Sequence, residues 1–323
     1  MLKPTIKFAL ALAAAAALAT TALAQQRLFF GIATGGTGGT YYPLGGMLAQ
    51  LISNKATVGG QKVSATAEAA GASVGNARLL GNKDIESAFV AADILDAAYN
   101  GAGQFNGTPL KNLRALGALY PETVQLITRA DMGINSVRDL KGKNVSSGAP
   151  GSGQYQLLTD LLRVHGMSRN DVKEDSSSFT QAVDKIKDGN LHATLITAGV
   201  PTAAVTDFAQ SHALKVIPLS GPEIAELRKQ QPYYAEVPLP ANTYKGQAAA
   251  VPTLAVMAVW ATHEAVPENV AYEVTKALYE NTATMAQVHV QGKNISLATA
   301  TAVGTAPLHP GALRYFREKG IVK

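Results

Sequence analysis

Leu28-Phe29-Phe30-Gly31-Ile32-Ala33-Thr34-Gly35-Gly36-Thr37-Gly38-Gly39-Thr40-Tyr41-Tyr42 passes from an apolar, β-rich run through glycines and hydroxyls into a helical pattern that continues to Asn54. A strand that opens into a helix through such a loop is the repeating unit of layered α/β proteins. The first N–H groups of that helix have no intrahelical partner, and the helix dipole adds about half a positive charge. A carboxylate or phosphate can therefore bind there without a lysine. Two further junctions repeat the chemistry. Gly71-Ala72-Ser73 links a predicted strand over residues 63–69 to a helix over 73–82. Ser146-Ser147-Gly148-Ala149-Pro150-Gly151-Ser152-Gly153 links a strand over 144–148 to a helix over 154–165. In an open α/β sheet such loops gather at the carboxyl ends of the strands, where ligands sit. Three of them in one chain point to a shared cleft.

Outward from these junctions, residues 86–92 read as a strand followed by a helix to about Tyr99, and residues 100–108 as a glycine-rich surface loop. Ser136 and Asp139 have capping-box spacing, and Ser178-Phe179-Thr180-Gln181 caps another helix. Residues 193–198 form a buried strand, and residues 201–211 a helix opened by Pro201 in its first turn. The proline-rich stretch 232–252 reads as a connector. Two apolar segments, residues 113–129 and 253–263, are too long for a single core strand and bracket the middle of the chain. The simplest geometry makes them strands that cross between two domains. One domain is then discontinuous, residues 25–120 plus 255–323, and the other spans 121–254.

The 323 residues, 47% of them apolar, suit a globular chain of about two domains. Lys3, Lys7, the run Phe8 to Ala19 and Ala22-Leu23-Ala24 make residues 1–24 a secretory signal peptide, cut after Ala24 to release a periplasmic protein. Without Lys3 and Lys7 the charge is 26 cations against 23 acids. No basic run occurs, so nucleic acid is not an expected partner. The absence of cysteine removes disulfides, thiolate metal sites and cysteine nucleophiles together. A mean hydropathy of +0.06 and small, alanine-rich helices suit a monomer.

Nucleotide cofactors are not expected, since no lysine follows these glycines as a P-loop requires and the G-x-G-x-x-G spacing is missing. No two histidines sit three to five residues apart, so no metal site is expected. Gly71-Ala72-Ser73-Val74-Gly75 matches the G-x-S-x-G nucleophile elbow, and His309 is the one histidine placed as a late triad member. A secreted serine hydrolase using Ser73 is thus a rival, although Ser73 reads better as a helix cap and ligand donor.

Gly36 to Gly45 after the first strand, Pro150-Gly151-Ser152-Gly153, Ala198-Gly199-Val200-Pro201-Thr202-Ala203-Ala204, Pro232-Tyr233-Tyr234, Val251-Pro252-Thr253 and Pro307-Leu308-His309-Pro310-Gly311 together resemble the TAXI family of TRAP-transporter solute receptors. The resemblance implies a type II periplasmic binding protein fold, two doubly wound α/β domains joined by crossing hinge strands. It implies a non-enzymatic receptor without cofactor, which closes on a small organic anion and delivers it to a TRAP membrane permease. Glutamate, another amino acid, a dicarboxylate or a 2-oxoacid would be the solute. By position it carries over Gly36, Thr37, Gly38, Tyr41 and Tyr42 from the first junction, Ser73 and Asn76 from the second, and Ser147, Ser152 and Gly153 from the third. Thr197, Ala198 and Gly199 come from the far side of the cleft. Ala91-Ala92 stand before Asp93 where the family often has a polar pair, which puts the identity of the ligand in question. An ATP-binding-cassette importer is the other transport system a receptor of this fold could serve.

Overall fold

In β1 (Leu28–Ala33) Phe30 and Ile32 are buried on one face while Phe29, on the other, is exposed, and Ala33 is buried on that other face at the strand's end. The computed structural model describes residues 28–323, and the signal-peptide segment lies outside the described residues. After β1 come α1 (Tyr41–Lys55), β2 (Thr57–Val58), β3 (Gln61–Glu68), α2 (Ala72–Asn82), β4 (Ser87–Ala91), α3 (Ala92–Asn100) and the 17-residue β5 (Leu113–Arg129). The middle of the chain forms β6 (Asn144–Ser146), α4 (Gln154–Val164), β7 (Lys173–Asp175), α5 (Phe179–Lys187), β8 (Ala193–Ala198), α6 (Ala203–Ser211) and β9 (Leu214–Ile217). Then follow α7 (Pro222–Gln230), β10 (Ala235–Leu239), the 13-residue β11 (Val251–His263), α8 (Glu268–Tyr279), α9 (Thr282–Met285) and α10 (Pro310–Glu318).

The strand order is β2-β3-β1-β4-β11-β5-β8-β6-β7, with β10 also on β11 and β9 on β5. β1 is parallel to β3 and β4, and β6 is parallel to β7 and β8. β5 and β11 run antiparallel to each other between these two parallel groups. At about 3.3 Å per residue, β5 is about 56 Å long. That length lets it serve both groups: Leu113 to Thr123 pair with β11, and Thr123 to Thr128 pair with β8. β11 does the same, pairing with β10 over Val251 to Ala255 and with β4 over Ala258 to Thr262. Helices cover both faces. Phe30, Phe89, Tyr120 and Trp260 pack beneath α1 and α8, and Ile127 and Ile196 pack with Phe208 of α6 and with α5.

Two local expectations are revised. Pro201 lies outside the helix: Thr202 is extended, its N–H is held by the Tyr244 hydroxyl at 2.9 Å, and α6 starts only at Ala203. The stretch 232–252 is not merely a connector, because β10 lies in it, bonded antiparallel to β11. Pro238 obscures that strand in sequence, and it is tolerated because β10 has no partner on its other side. The Ser136 capping box does form, with the Asp139 carboxylate accepting from the Ser136 N–H at 2.9 Å.

Candidate functional site

The carboxyl ends of β1, β3, β6 and β7 each lead into a loop, β4 passes directly into α3, and these junctions meet over a cavity of about 250 Å³. Gly36, Thr37, Gly38 and Tyr41 line it from the β1–α1 junction. Ser73 lines it from the second junction, Ser152 and Gly153 from the third, and Thr197 and Ala198 from the end of β8.

The other four expected site residues lie off the cavity wall. Tyr42 is 39% exposed on the outer side of α1. Asn76 is fully buried and its amide donates to the carbonyls of Ala33, Thr34 and Phe89, which ties α2 to β1 and β4. Ser147 donates to Glu174 at 2.7 Å, and Gly199 offers its carbonyl to the Thr40 hydroxyl at 2.9 Å.

The second junction departs further from expectation. The N–H groups of Val74 and Gly75, at the start of α2, both donate to the Gly151 carbonyl, at 2.9 and 3.0 Å. A helix N-terminus expected to meet the ligand is thus capped by the third junction instead. The same interlocking recurs between other loops: Ala204 N–H donates to the Gly38 carbonyl at 3.1 Å, and the Gln291 amide to the Val200 carbonyl at 2.8 Å. Around the β1–α1 loop the balance is different. Among the described residues no hydrogen-bond partner meets the N–H groups of Thr37, Gly38, Thr40 or Tyr41, as is usual for donors at the start of a helix.

Ser73 is not a nucleophile with a base. Its Oγ accepts from the Ala91 N–H at 3.0 Å and lies 3.4 Å from the Tyr41 hydroxyl. His309 is spent on structure: Nε2 meets the Val266 carbonyl at 2.9 Å, and Nδ1 accepts from Gly311 N–H as the cap of α10. The Ser73–His309 pairing is therefore absent from the fold.

Sequence reasoning missed three contributions. Ser178, Phe179 and Thr180 bring the start of α5 to the cavity, and their hydroxyl-rich junction after β7 carried the signal. Tyr234 reaches in from the proline-rich stretch. Above all, Glu122 and Asp93 line the cavity, and among the described residues no lysine, arginine or histidine does. A lone carboxylate inside the long apolar run of β5 was the available signal, because a buried charge is expensive unless it is used.

Glu122 is 3% exposed and accepts from the Tyr41 hydroxyl at 2.8 Å. Burial, with the nearby Asp93 charge adding to it, pushes its carboxyl from 4.5 up to about 8 against the opposing effect of the Tyr41 hydrogen bond. Asp93, which accepts from the Tyr234 hydroxyl at 2.8 Å, is also raised by burial. The fold thus keeps a proton on Glu122 that the unfolded chain releases. The stability this contributes is full below the ordinary carboxylate value and is lost as pH rises through about 8. The melting temperature of ligand-free protein is expected to fall between about pH 5 and pH 8.5. Glu122→Gln should flatten that fall, and superimposable profiles for the two proteins would rule out the assignment.

The NMT1-like family matches residues 32–320. Among solved structures, the periplasmic aliphatic sulphonate binding protein SsuA from Escherichia coli is similar, with 17% identity, 90% of this chain and 78% of that one covered, and a TM-score of 0.51. A protein from Bordetella bronchiseptica RB50 is similar at 17% identity, 90% and 82% coverage and a TM-score of 0.52. A mutant of ArgBP from T. maritima shares 12% identity over 83% of this chain and 94% of that one, with a TM-score of 0.50. These likenesses show the fold, that of periplasmic binding proteins with two α/β domains. With residues 32–320 matched, the chain belongs to the NMT1-like family.

Proposed function

We propose that this chain is a periplasmic solute-binding receptor that captures a small organic solute between two domains and hands it to a membrane transporter, without catalysis of its own. The observation that carries this reading is the cleft of about 250 Å³, walled by loops from both parallel strand groups and, among the described residues, lined by no paired nucleophile and base. In this reading residues 25–120 plus 255–323 form one domain and 121–254 the other, and β5 with β11 are the hinge. Free backbone donors of the β1–α1 loop receive a carboxylate of the solute, with Thr37, Ser152 and Thr197 as hydroxyl partners. Loop contacts such as Gly151 carbonyl to Val74 and Gly75 form on closure, so that solute and interlocking stabilise the closed state together.

The motif set from Gly36-Thr37-Gly38 to Pro307-Leu308-His309 supports a TRAP-type permease as partner. An ATP-binding-cassette importer accommodates the fold equally well. A TRAP membrane-subunit gene beside this one would support the first, and an ATPase gene the second. A thermal-shift screen of unfolded and refolded protein against small amino acids, dicarboxylates and 2-oxoacids tests the receptor reading, because a solute that binds only the folded state raises the melting temperature. A rise with one of them is expected. Silence across the screen would remove the reading.

A further inference from the structure

The cavity wall carries two kinds of polar group. The β1–α1 loop brings the N–H groups of Thr37, Gly38, Thr40 and Tyr41, which have no partner among the described residues. The wall also carries two carboxyls, each gripped by a buried tyrosine: Glu122 by Tyr41 at 2.8 Å and Asp93 by Tyr234 at 2.8 Å. Both tyrosines use their proton on the carboxyl, which orients each acid and leaves its second oxygen for another donor. Among the described residues neither Asp93 Oδ1 nor Oε1 of Gln154 on the same wall has a hydrogen-bond partner, although the Asp93 and Ile94 N–H groups at the start of α3 also favour the Asp93 carboxylate. Unmatched buried acceptors of this kind are costly and call for donors. Water could serve, yet two carboxyls facing one enclosed space with no cation among the described lining residues ask for positive charge.

We propose that Glu122 and Asp93 form a subsite for a protonated nitrogen of the solute, so that the solute is an amine-bearing zwitterion of amino-acid size and not an amine-free dicarboxylate or 2-oxoacid. This rests on the receptor reading above and narrows it. Tyr41 and Tyr234 are positioning residues. The groups facing Glu122 are Tyr41 from α1, Asp93 from α3, Tyr120 from β5 itself and Tyr234 before β10, while Asp160 of α4 lies near Asp93 and pairs with Arg163. All but Arg163 are acids or phenols, so the arriving cation meets no competitor on the wall. Because burial holds a proton on Glu122 in the empty cavity, seating the cation transfers that proton to solvent, and no other bond changes.

The test compares matched probes on the full, stripped protein: glutamate with 2-oxoglutarate, alanine with pyruvate, and aspartate with succinate. Titration calorimetry in two buffers of different ionisation enthalpy reads both affinity and proton exchange. The expected result is that at least one amine-bearing probe binds and its amine-free partner binds at least about a hundredfold more weakly. Binding should release a proton near pH 7 and strengthen up to about pH 8. Glu122→Gln should abolish the release and weaken the amine probe about tenfold or more, and Asp93→Asn should weaken it in parallel. Circular dichroism of each variant checks its fold. An amine-free acid that binds as well as its partner, or binding that takes up a proton and weakens above about pH 8, would overturn the proposal while leaving the receptor reading intact. If no probe of either kind binds the folded protein, the receptor reading falls and this inference with it.

Discussion

Gly151→Ala is expected to weaken solute binding by at least about fivefold. Gly151 sits at φ +86°, where a Cβ is strained, and that Cβ would lie 2.9 Å from the Gly71 carbonyl and 3.5 Å from Gly75 N. It would intrude on the contact in which the Gly151 carbonyl caps α2 through Val74 and Gly75. Under the proposed closure, losing two such hydrogen bonds, at about 0.5 to 1.5 kcal/mol each, removes stabilisation from the closed form. At 1.4 kcal/mol per factor of ten, the loss is on the order of fivefold to a hundredfold in Kd. Gly59→Ala provides the control. Gly59 also has a positive φ, +56°, but a Cβ there meets nothing within 4 Å, so the strain is matched without the closure contact. Calorimetry on both variants with a solute found in the screen decides the matter: equal Kd values for Gly151→Ala, Gly59→Ala and the parent would discard interlocking as part of binding.

Trp260→Ala is expected to lower stability by about 3 to 5 kcal/mol, the range for truncating a large buried aromatic side chain. Trp260 is wholly buried, and its ring meets Phe30 edge-on at 6.3 Å between centroids. It lies on β11 opposite Phe89 of β4 and Gly117 of β5. Gly117 cannot grow to fill the gap, since any Cβ there collides with the Tyr279 hydroxyl that donates to the Ala118 carbonyl at 2.7 Å. For a chain of this size, about 2 °C or more of melting temperature per kcal/mol implies a drop on the order of 10 °C. Scanning calorimetry checks it, and a shift of only a degree or two would mean that the core collapses into the vacated space.

The α/β class, the strand-to-helix junctions and the two long crossing segments were legible from hydrophobic pattern and glycine placement, because those features depend on residues near in sequence. β5 reads from its run of apolar residues, and α5 from its Ser178 capping box. β10 stayed hidden because Pro238 is acceptable only at an edge, and edge position is a property of the finished sheet. The start of α6 was misplaced for a similar reason. Tyr244, 42 residues on, takes the Thr202 N–H and holds that residue extended.

The sequence alone determined that several helix starts would offer N–H donors at one end of a parallel sheet, since glycine, serine and threonine at those positions do so in any fold of this class. Which donors face a guest was settled by tertiary structure. The N–H groups of Val74 and Gly75 bind whatever acceptor reaches them, and the Gly151 carbonyl, some 75 residues away in sequence, is the one the fold delivers. The charge of the cavity was likewise set in three dimensions. Glu122 on β5 and Asp93 on α3 are separate acids in the sequence, and only the antiparallel stacking of β4, β11 and β5 brings them to one wall and strips them of water.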